Sequence, residues 1–454
     1  MKQVLTIFGA TGNLMHKKLV PALNQLVAKK IITENTKIYC VSRRDYTNLQ
    51  YIEHLETFVK SDFSDLKPMI NYVKMDIQNI EDYKALKVQM DAWTEEPVER
   101  LFYLAVAPEF FVTIARGIAN SHLSNFGDTN TRVVFEKPFG EDFASAKQIN
   151  HDLKEFFSES QIYRIDHYLG KDMIQNILVL RFANKLLENN WSHDAIQSID
   201  IYVKETETIM NRGEYYNQTG ALKDMVQSHL LQMLALVTMD EPETLSSDDI
   251  RKAKIEALRH TSIDRKNAVF GQYTGYTSEH NVPEDSTTET FAFLEARVDT
   301  PRWNGVPIYL LTGKKLDEKK AEIVVHFKAH SSQSRLWPER EHESNQLVIG
   351  VSDYEGISVK MNVKKPGLEG SVTDALLDYC HSCQKIGNNP EAYEKLLNEF
   401  INHNQTLFTS WSEIEASWNI VDPLKQSHYQ LMKYDSIDDF DEVINQIRGE
   451  THVL

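Results

Sequence analysis

The chain has 454 residues, which exceeds the roughly 250–300 residues at which a single hydrophobic core stops growing, so we expect two domains. Its 66 acidic and 49 basic residues give a net charge of −17, which excludes unspecific binding to nucleic acids or anionic membranes. No apolar run reaches the ~20 residues of a membrane span and no leader-like pattern opens the chain, so we expect a cytoplasmic protein.

Short apolar runs alternate with amphipathic stretches over the first third of the chain. This alternation predicts a Rossmann-like, doubly wound α/β domain over residues 1–165. Because ligands bind at the carboxyl ends of parallel strands, the residues after each strand are candidate site residues. The predicted helices cover residues 19–30 and 80–93, and the predicted strands cover residues 4–8, 37–41, 70–75, 101–106 and 132–135.

A pair of glycines, Gly9 and Gly12, follows the first predicted strand and precedes a helix. Glycine permits a tight turn and lets a pyrophosphate approach the backbone at the helix N-terminus. The pattern lacks a third small residue, and a plain tight turn would look similar. Its position between a strand and a helix favours dinucleotide binding.

The second predicted strand ends in Ser42-Arg43-Arg44-Asp45, at the position that selects between nicotinamide cofactors. An arginine here receives the 2′-phosphate of NADP, whereas an acid holds the ribose 2′-hydroxyl of NAD. Arg43 and Arg44 favour NADP, while Asp45 leaves the use of NAD open. Surface arginines without a ligand are the alternative interpretation.

The segment from Arg164 to Lys171 places an acid, an imidazole, a phenol and a lysine close together. On a helical turn, His167 and Lys171 would share a face and could bind an anionic group together. Asp166 would point elsewhere and could orient a base from another segment. An acidic protein needs such a basic cluster to attract an anionic substrate, and further lysines follow predicted turns at Lys137, Lys314 and Lys319.

The second part of the chain shows runs that alternate with period two, at residues 290–298, 308–311, 322–327, 346–351 and 356–362. These runs predict a large, mainly antiparallel sheet in an α+β domain over residues 166–454. Predicted helices cover residues 171–182, 220–239, 390–400 and 411–420. Asp224 and His229 lie five residues apart, too far round an α-helix to be ideal neighbours.

The three cysteines, Cys40, Cys380 and Cys383, are too few for a disulfide framework and fit a reducing compartment. Cys380-His381-Ser382-Cys383 has the spacing of a redox pair or of half a zinc site. No second pair of this spacing completes a zinc site, so we predict two thiols on a helical turn and no metal.

Several of these segments together resemble the glucose-6-phosphate dehydrogenase family, which opens the oxidative pentose phosphate pathway. The resemblance extends over nearly the whole chain, and the octapeptide from Arg164 to Lys171 is its most specific part. The other segments that carry it are residues 7–12, 17–23, 105–108, 136–140, 220–229, 299–307 and 313–314.

The resemblance implies oxidation of D-glucose 6-phosphate at C1 to 6-phospho-D-glucono-1,5-lactone, with NADP as the hydride acceptor. It implies that His229 is the general base and that Asp166 orients this base. Because the family pairs through its large sheet, we expect a homodimer or a dimer of dimers. The implied substrate-binding residues are Lys137, His167, Tyr168, Lys171, Glu205, Asp224, Lys314 and Lys319.

The resemblance also implies a set of cofactor-binding residues, namely Gly9, Ala10, Thr11, Gly12, Asn13, Leu14, Lys18, Arg43, Arg44, Asp76, Ile77, Ala107, Pro108 and Lys137. The chain departs from the family pattern at Asn13, at Met15-His16, at Lys223 and at Ser228. These departures leave two alternatives open. One is the same chemistry on another hexose 6-phosphate or a 6-sulfo sugar, and the other is a non-catalytic sensor of nucleotide and sugar phosphate.

Overall fold

The computed structural model describes residues 2–329, 336–337, 344–368, 371–383, 391–425 and 431–449. The chain divides into two compact units. The first unit consists of residues 1–170, 245–251 and 390–415, and the second of residues 171–244, 252–389 and 416–454. Within the described ranges, no helix is both long and apolar enough to cross a lipid bilayer.

The strands of the described residues form two sheets. In chain order they are β1 (Lys2–Phe8), β2 (Thr36–Ser42), β3 (Ile70–Lys74), β4 (Val98–Leu104), β5 (Thr131–Phe135), β6 (Ile162–Ile165), β7 (Ile196–Lys204), β8 (Thr261–Tyr273), β9 (Phe291–Val298), β10 (Ile308–Gly313), β11 (Lys320–Phe327), β12 (Gln346–Ser352), β13 (Gly356–Lys364), β14 (Val372–Cys380), β15 (Phe408–Thr409) and β16 (Met432–Tyr434).

The α-helices are α1 (Val20–Ala28), α2 (Asn48–Phe58), α3 (Ile80–Asp91), α4 (Phe111–Asn120), α5 (Phe143–Lys154), α6 (Asp172–Phe182), α7 (Lys185–Glu188), α8 (Gly213–Ala221), α9 (Leu231–Thr238), α10 (Ser247–Arg259), α11 (Ala392–Ile401), α12 (Trp411–Lys425) and α13 (Asp441–Arg448). Two π-helical segments, Met15–Leu19 and Leu222–Leu230, lead directly into α1 and α9.

The sheet of the first unit has seven strands in the order β3-β2-β1-β4-β5-β6-β15. All neighbours are parallel except β15, which runs antiparallel to β6. The strand order reverses direction between β1 and β4, which is the arrangement of a doubly wound fold. The prediction of a Rossmann-like domain is confirmed, and each of the five predicted strands falls on one of β1 to β5.

A late segment of the chain completes the first unit. Helix α11 packs against α1, and β15 extends the sheet beside β6. The buried guanidinium of Arg132 on β5 donates to the carbonyl oxygens of Phe400 and Ile401 over 2.8 and 3.0 Å. Its other side lies 3.1 Å from the Glu99 carboxylate. Because a buried charge without partners is strongly destabilising, β5 depends on the last turn of α11.

The sheet of the second unit has nine strands in the order β14-β13-β12-β11-β7-β10-β9-β8-β16. The β7/β10 and β8/β16 pairs are parallel and the others are antiparallel. An aromatic cluster packs on this sheet, with the rings of Phe291 and Phe440 stacked 3.9 Å apart. The prediction of a large, mainly antiparallel sheet is confirmed.

Two predictions about local structure need correction. The helix predicted over residues 220–239 is interrupted, because Gly220 has a φ of 64° and the residues that follow are π-helical up to Leu230. Cys380 is the last residue of β14 rather than part of a helix, and the turn that follows it brings Cys383 back into a disulfide.

The helix predicted over residues 390–400 begins at Ala392, and Pro390 lies outside the described residues.

Candidate active site

A tight turn joins β1 to the first π-helical segment and is held against the end of β2. The backbone N–H groups of Gly9 and Ala10 both donate to the carbonyl oxygen of Val41 over 3.1 Å. Gly9 has a φ of 85°, and a Cβ at this position would overlap the carbonyl oxygen of Ala105. Both its conformation and its surroundings therefore require glycine at this position.

This turn lies where the strand order reverses, since β1 sits between β2 and β4. The N–H of Gly12 donates to the carbonyl oxygen of Gly9 over 2.9 Å, and the Thr11 hydroxyl lies 3.0 Å from that of Ser42. Asn13 is exposed just before the π-helical segment. A glycine turn that precedes a helix at the switch point fits a dinucleotide pyrophosphate.

The departure at His16 falls inside an aromatic cluster rather than at the surface. The imidazole is 6% exposed and stacks on the Phe58 ring, with 4.4 Å between centroids. Burial lowers the pKa of His16, and His54 and Arg44 add to this shift. This ring therefore stays neutral near pH 7. Lys18, two residues later, is exposed and lies 3.3 Å from the Glu391 carboxylate.

The end of β2 carries both arginines that the sequence singled out, and both are exposed. The Arg44 guanidinium lies 3.5 Å from the Tyr46 hydroxyl. The backbone carbonyl oxygen of Arg44 accepts a hydrogen bond from the Tyr72 hydroxyl over 2.5 Å. Asp45 instead forms an ion pair with Lys74 at 2.9 Å. All three side chains are exposed, and a guanidinium is the group at this strand end best suited to a ribose phosphate.

The loops after β3 and β4 bring four further predicted residues to the same edge of the sheet. The N–H of Asp76 donates to the Asp82 carboxylate over 2.8 Å, and the carbonyl oxygen of Ile77 accepts from the Tyr83 hydroxyl over 2.9 Å. After β4, Ala107 and Pro108 begin a short 3₁₀ turn that ends at Phe110. The chain after β4 borders the glycine turn at Ala105, and both loops lie at the carboxyl edge of the parallel sheet.

The end of β5 holds a carboxyl group that the sequence did not single out. Glu136 accepts a hydrogen bond from the Tyr103 hydroxyl over 2.5 Å, and Tyr393 contributes a second hydrogen bond. Burial raises the pKa of Glu136 to about 7, although both tyrosines and Lys137 oppose the shift. Lys137 follows directly and is joined to Pro138 by a cis peptide bond. A titratable group near neutral pH thus lies beside a predicted substrate-binding lysine.

The segment after β6 is a series of hydrogen-bonded turns and not a helix. The N–H of Tyr168 donates to the Asp166 carboxylate over 3.0 Å, and the N–H of Gly170 donates to the His167 carbonyl over 3.2 Å. Helix α6 begins only at Asp172, after Lys171 with extended backbone. The helical face proposed for His167 and Lys171 is therefore wrong.

Arg164 belongs to the interior of the first unit. Its guanidinium is 1% exposed, donates to Glu159 over 2.6 Å and reaches the Asn150 side chain over 2.9 Å. The same Glu159 carboxylate accepts the backbone N–H of Trp411 over 2.9 Å. Arg164 thus stabilises the fold, whereas Asp166, 3% exposed, and the half-buried His167 and Tyr168 follow at the strand end.

In the second unit, Asp224 and His229 share the π-helical segment, where they are 8% and 0% exposed. In a π-helix each N–H bonds to the carbonyl five residues earlier, so residues five apart lie on successive turns of one face. A spacing of five residues, which would separate Asp224 and His229 on an α-helix, therefore places them on the same face of this π-helical segment. The Tyr215 hydroxyl donates to Asp224 over 3.3 Å, and the Ser228 hydroxyl donates to the Asp224 carbonyl over 3.0 Å.

Glu289 fixes the start of this π-helical segment, a role that the sequence did not suggest. Its carboxylate accepts the N–H of Leu222 over 3.0 Å, and its carbonyl oxygen accepts the N–H of Ala221 over 3.0 Å. A Cβ at Gly220 would overlap this carboxylate. The side chain is 3% exposed, so the contact is shielded from water. Glu289 and Gly220 together set the register of the helix that carries His229.

Lys314 lies over the ring of Tyr216, and the carboxylates of Glu205 and Asp224 act on the same tyrosine. The Lys314 ammonium lies 2.6 Å from the Glu205 carboxylate and 5.1 Å from the centre of the Tyr216 ring. Burial raises the pKa of Tyr216 well above its usual value, and Asp224, Tyr434 and Glu205 are among the groups that add to the shift. Two carboxylates and a cation thus converge on a buried ring, a set suited to sugar hydroxyls and an anion.

Two further predicted lysines of the second unit, and the departure at Lys223, each have a partner of their own. The Lys319 ammonium lies 3.2 Å from the Glu207 carboxylate, which raises the pKa of the lysine. The Lys171 ammonium donates to the carbonyl oxygen of Val351 over 3.4 Å. Lys223 donates to the carbonyl oxygen of Gln218 over 2.9 Å.

Two family models match the chain. "Glucose-6-phosphate dehydrogenase, NAD binding domain" covers residues 6–176, and "Glucose-6-phosphate dehydrogenase, C-terminal domain" covers residues 178–444. The glucose-6-phosphate 1-dehydrogenase of Bacillus subtilis (strain 168) is 39% identical over 448 residues, spanning 94% of this chain and 91% of that protein.

Two solved structures are similar over the whole chain. A glucose-6-phosphate dehydrogenase in complex with its substrate glucose-6-phosphate has a TM-score of 0.92 at 31% identity, and covers 100% of this chain and 98% of that one. The glucose-6-phosphate 1-dehydrogenase from Mycobacterium avium has a TM-score of 0.88 at 32% identity, with coverages of 100% and 99%. A 3-ketoreductase from Actinomadura kijaniata, 11% identical with a TM-score of 0.51, shares the fold alone.

Proposed function

The chain belongs to the glucose-6-phosphate dehydrogenase family, and we propose that it oxidises D-glucose 6-phosphate at C1 to 6-phospho-D-glucono-1,5-lactone with NADP as hydride acceptor. The observation that carries this proposal is the buried His229 on a π-helical segment, with Asp224, Glu205 and Lys314 gathered around Tyr216. These groups supply a base, two hydrogen-bond acceptors for hydroxyls and a cation for an anionic substrate.

His229 is the proposed general base. Its imidazole takes the proton of the C1 hydroxyl as the C1 hydride leaves, so that the C1–O bond becomes the carbonyl of the lactone. When bound, the nicotinamide supplies the hydride acceptor at this step. Asp166 is the proposed partner that fixes the orientation of the imidazole and stabilises its protonated form. Its fixed position at the end of β6 supports this assignment.

The proposed phosphate-binding residues are His167, Tyr168 and Lys171, with Lys314 and Lys319 as more distant cations. Glu205 and Asp224 are proposed to accept hydrogen bonds from the sugar hydroxyls. Their half-buried and buried positions support this, because a hydrogen bond to a charged acceptor gains strength away from water. Lys137 and Lys18 are the proposed residues that contact both ligands.

The preference for NADP rests on the end of β2. Arg43 and Arg44 are exposed, whereas the nearby Asp45 is paired with Lys74. We expect Arg44→Ala to raise the KM for NADP about tenfold or more and to leave the KM for NAD nearly unchanged, since only NADP carries the 2′-phosphate. Lys74→Ala is the matched control, because it removes a neighbouring exposed cation that lies on Asp45. Equal increases in the KM for NADP and the KM for NAD would show that Arg44 does not bind the 2′-phosphate.

A panel assay tests the substrate and the reaction together. Reduced nicotinamide is followed by absorbance with glucose 6-phosphate, other hexose 6-phosphates, amino-hexose phosphates and 6-sulfo sugars, each with NADP and NAD. The proposal expects the highest kcat/KM with glucose 6-phosphate and NADP. A higher value for another sugar would reassign the substrate, and binding by calorimetry without any turnover would identify a sensor.

A homodimer formed through the large sheet of the second unit and a cytoplasmic location complete the proposal. Several apolar side chains on β13 and β14 support the dimer, because Met361, Val363, Leu376, Leu377 and Tyr379 are all more than a third exposed in the single chain. Light scattering tests this part: a mass of one chain at assay concentration would exclude the dimer, whereas a mass of two chains is expected.

A further inference from the structure

Asp224 accepts hydrogen bonds from two side chains, and one of them belongs to a residue that the proposed reaction does not use. The Ser228 hydroxyl, four residues later, donates to the backbone carbonyl oxygen of Asp224 over 3.0 Å. The Tyr215 hydroxyl donates to the Asp224 carboxylate over 3.3 Å. The first bond restrains the main chain, whereas the second acts on the group proposed to bind the sugar.

Helix α8, which carries Tyr215 in its first turn, is anchored to the loop before β9. Gly213, the first residue of α8, is buried, and a Cβ there would lie 2.0 Å from the carbonyl oxygen of His280. The Thr288 hydroxyl donates to the carbonyl oxygen of Asn217 over 2.7 Å. The main chain at Tyr215 is therefore held in place, and its phenol reaches Asp224 from a fixed position.

Arg212, the exposed residue just before α8, lies over the ring of Tyr215. Its guanidinium carbon is 4.6 Å from the ring centre, and the side chain also forms a hydrogen bond with the phenol. A cation over an aromatic face is attracted by the electrons of the ring. This contact is thus a second restraint on the position of the Tyr215 hydroxyl.

The Tyr215 phenol stays protonated at neutral pH. Burial raises the pKa of Tyr215, and the negative charge of Asp224 raises it further, whereas Arg212 opposes the shift. A protonated phenol donates and a carboxylate accepts. The direction of this hydrogen bond is therefore fixed under the conditions of an assay near neutral pH.

The bond from Tyr215 gives the Asp224 carboxylate a defined orientation. The terminal torsion of an aspartate is broad, so a carboxylate without a restraint can turn to follow a hydroxyl that has moved. A donor on one oxygen fixes the plane of the carboxylate and thus the directions from which both oxygens accept. An epimer with its hydroxyl on the other face of the sugar ring would then leave this 8% exposed carboxylate poorly paired.

We propose that Tyr215 is a positioning residue that sets the specificity of the proposed reaction for the configuration of the hexose. Its hydroxyl orients the Asp224 carboxylate towards one ring hydroxyl of the sugar, and Arg212 holds the phenol in place. The inference deepens the proposed function and rests on it, because the sugar-binding role of Asp224 belongs to that proposal. The substrate class is a hexose 6-phosphate with the configuration of glucose at that carbon.

Tyr215→Phe keeps the ring and removes only the hydroxyl. We expect the KM for glucose 6-phosphate to rise about tenfold, the effect of one lost hydrogen bond to a charged group, with kcat close to that of the wild type. The KM for NADP should not change. Arg212→Ala should raise the KM for the sugar by about threefold, because a cation–π contact at an exposed site is weaker.

Three substrate analogues identify the hydroxyl and separate positioning from a general loss of structure. They are the 2-deoxy, 3-deoxy and 4-deoxy forms of glucose 6-phosphate, each assayed with the wild type and with Tyr215→Phe. For the analogue that lacks the hydroxyl bound by Asp224, the two proteins should have equal KM values, and for the other two the difference should remain. The same difference with all three analogues, or none with glucose 6-phosphate, overturns the proposal.

Tyr276→Phe is the matched control for the support of α8. The Tyr276 hydroxyl lies 3.5 Å from the side-chain oxygen of Asn217, so this variant removes a buried phenol that contacts the same helix. It should leave the KM for glucose 6-phosphate and for each analogue unchanged. A rise equal to that of Tyr215→Phe would assign the effect to the stability of α8 and would refute the positioning role.

A double variant shows whether Tyr215 acts through Asp224. In an Asp224→Ala background, the further change Tyr215→Phe should leave the KM for glucose 6-phosphate unaltered, because the carboxylate that the phenol orients is gone. A rise by the same factor in both backgrounds contradicts the proposal. Should Tyr215→Phe fail to fold by circular dichroism, the exposed Arg212→Ala with the same three analogues decides the question in the same way.

Failure of the proposed function gives a different result. If glucose 6-phosphate yields no reduced nicotinamide with the wild type, the proposed reaction is wrong, and affinities from calorimetry with the same sugars replace the KM values. A loss of affinity in Tyr215→Phe that disappears with one analogue still supports the positioning role. Normal turnover of the wild type without any effect of Tyr215→Phe on KM rejects this inference alone.

Discussion

The two units hold their functional groups in different ways. In the first unit, most predicted positions are backbone positions after parallel strands, and the glycine turn is fixed by hydrogen bonds to Val41 and by the close approach of Ala105. In the second unit, the predicted positions are side chains, and the placement of Asp224 and His229 depends on a π-helical register set by Glu289. We therefore expect cofactor binding at the glycine turn to depend mainly on backbone conformation. Turnover should depend on the side chains of the π-helical segment and on the register that positions them.

The largest expected effect tests the side-chain site directly. We expect His229→Asn to lower kcat roughly 100- to 10,000-fold, the range of a lost general base, and to leave the KM for glucose 6-phosphate within a small factor. Steady-state kinetics with the folded variant measures both. His326→Asn is the matched control, because His326 pairs with Asp200 elsewhere in the same unit. Near-normal turnover of the His229 variant would refute the assignment of the base.

Gly220→Ala tests whether the helix register matters as much as the residues on it. The new Cβ would overlap the Glu289 carboxylate and would sit at a φ of 64°. We expect kcat to fall by up to about 100-fold through misplacement of His229, with the KM for NADP unchanged. Gly275→Ala is the control, since it shares a positive φ of 93° and has no atom within 4 Å of the new Cβ.

In Gly220→Ala, circular dichroism and cofactor binding establish that the variant is folded. If both glycine variants lost turnover equally, backbone strain alone would explain the result. The distinction between a register effect and a general loss of stability would then disappear.

Gly9→Ala is the counterpart in the backbone-defined site. Its Cβ would overlap the carbonyl oxygen of Ala105 at a φ of 85°. We expect the KM for NADP to rise roughly tenfold, because strain of this kind costs on the order of 1–3 kcal/mol, while kcat at saturating cofactor stays close to that of the wild type. Gly127→Ala, with a φ of 74° and open space around it, is the control. A large loss of kcat would show that the glycine turn affects the chemical step as well as cofactor binding.

The smallest expected effect concerns Glu136, the group after β5 whose pKa burial raises to about 7. A carboxyl group with a raised pKa binds its proton more tightly in the folded protein. Its contribution to stability is therefore present below about 4.5 and is lost as the pH rises towards about 7. Glu136→Gln does not titrate, so its Tm relative to wild type should rise by about 2–4 °C between acidic and alkaline buffer. A constant difference in Tm across this range would contradict the shift.

The strands of the first sheet can be predicted from the sequence because the central strands are buried on both faces. Residues 4–8 and 132–135 therefore form continuous apolar runs, apart from Thr6 and Arg132. Strand β6 was not predicted, because the charged Arg164 interrupts its apolar pattern. In the folded chain Arg164 is buried and its charge is balanced by Glu159, a contact that the sequence pattern does not reveal.

The side-chain site is less readable because its determinants are distant in sequence. No local pattern distinguishes a π-helical from an α-helical segment, so the spacing of Asp224 and His229 is misleading until the register is known. Glu289 lies 67 residues beyond Leu222, whose N–H it accepts. The roles of Tyr216 and Glu289 follow from tertiary contacts, and only resemblance to a family pointed to His229 beforehand.

The return of the chain to the first sheet has a consequence for the order of events on the ribosome. Residues 1–170 emerge long before α11 and β15 exist, yet the guanidinium of Arg132 donates to Phe400 and Ile401. Until that stretch is synthesised, this arginine interacts with Glu99 and Tyr163 but lacks the two carbonyl acceptors of α11. The nucleotide-binding half therefore reaches its final state late in translation, and a nascent chain stalled after residue 170 would display an unfinished sheet edge at β6 to chaperones and proteases.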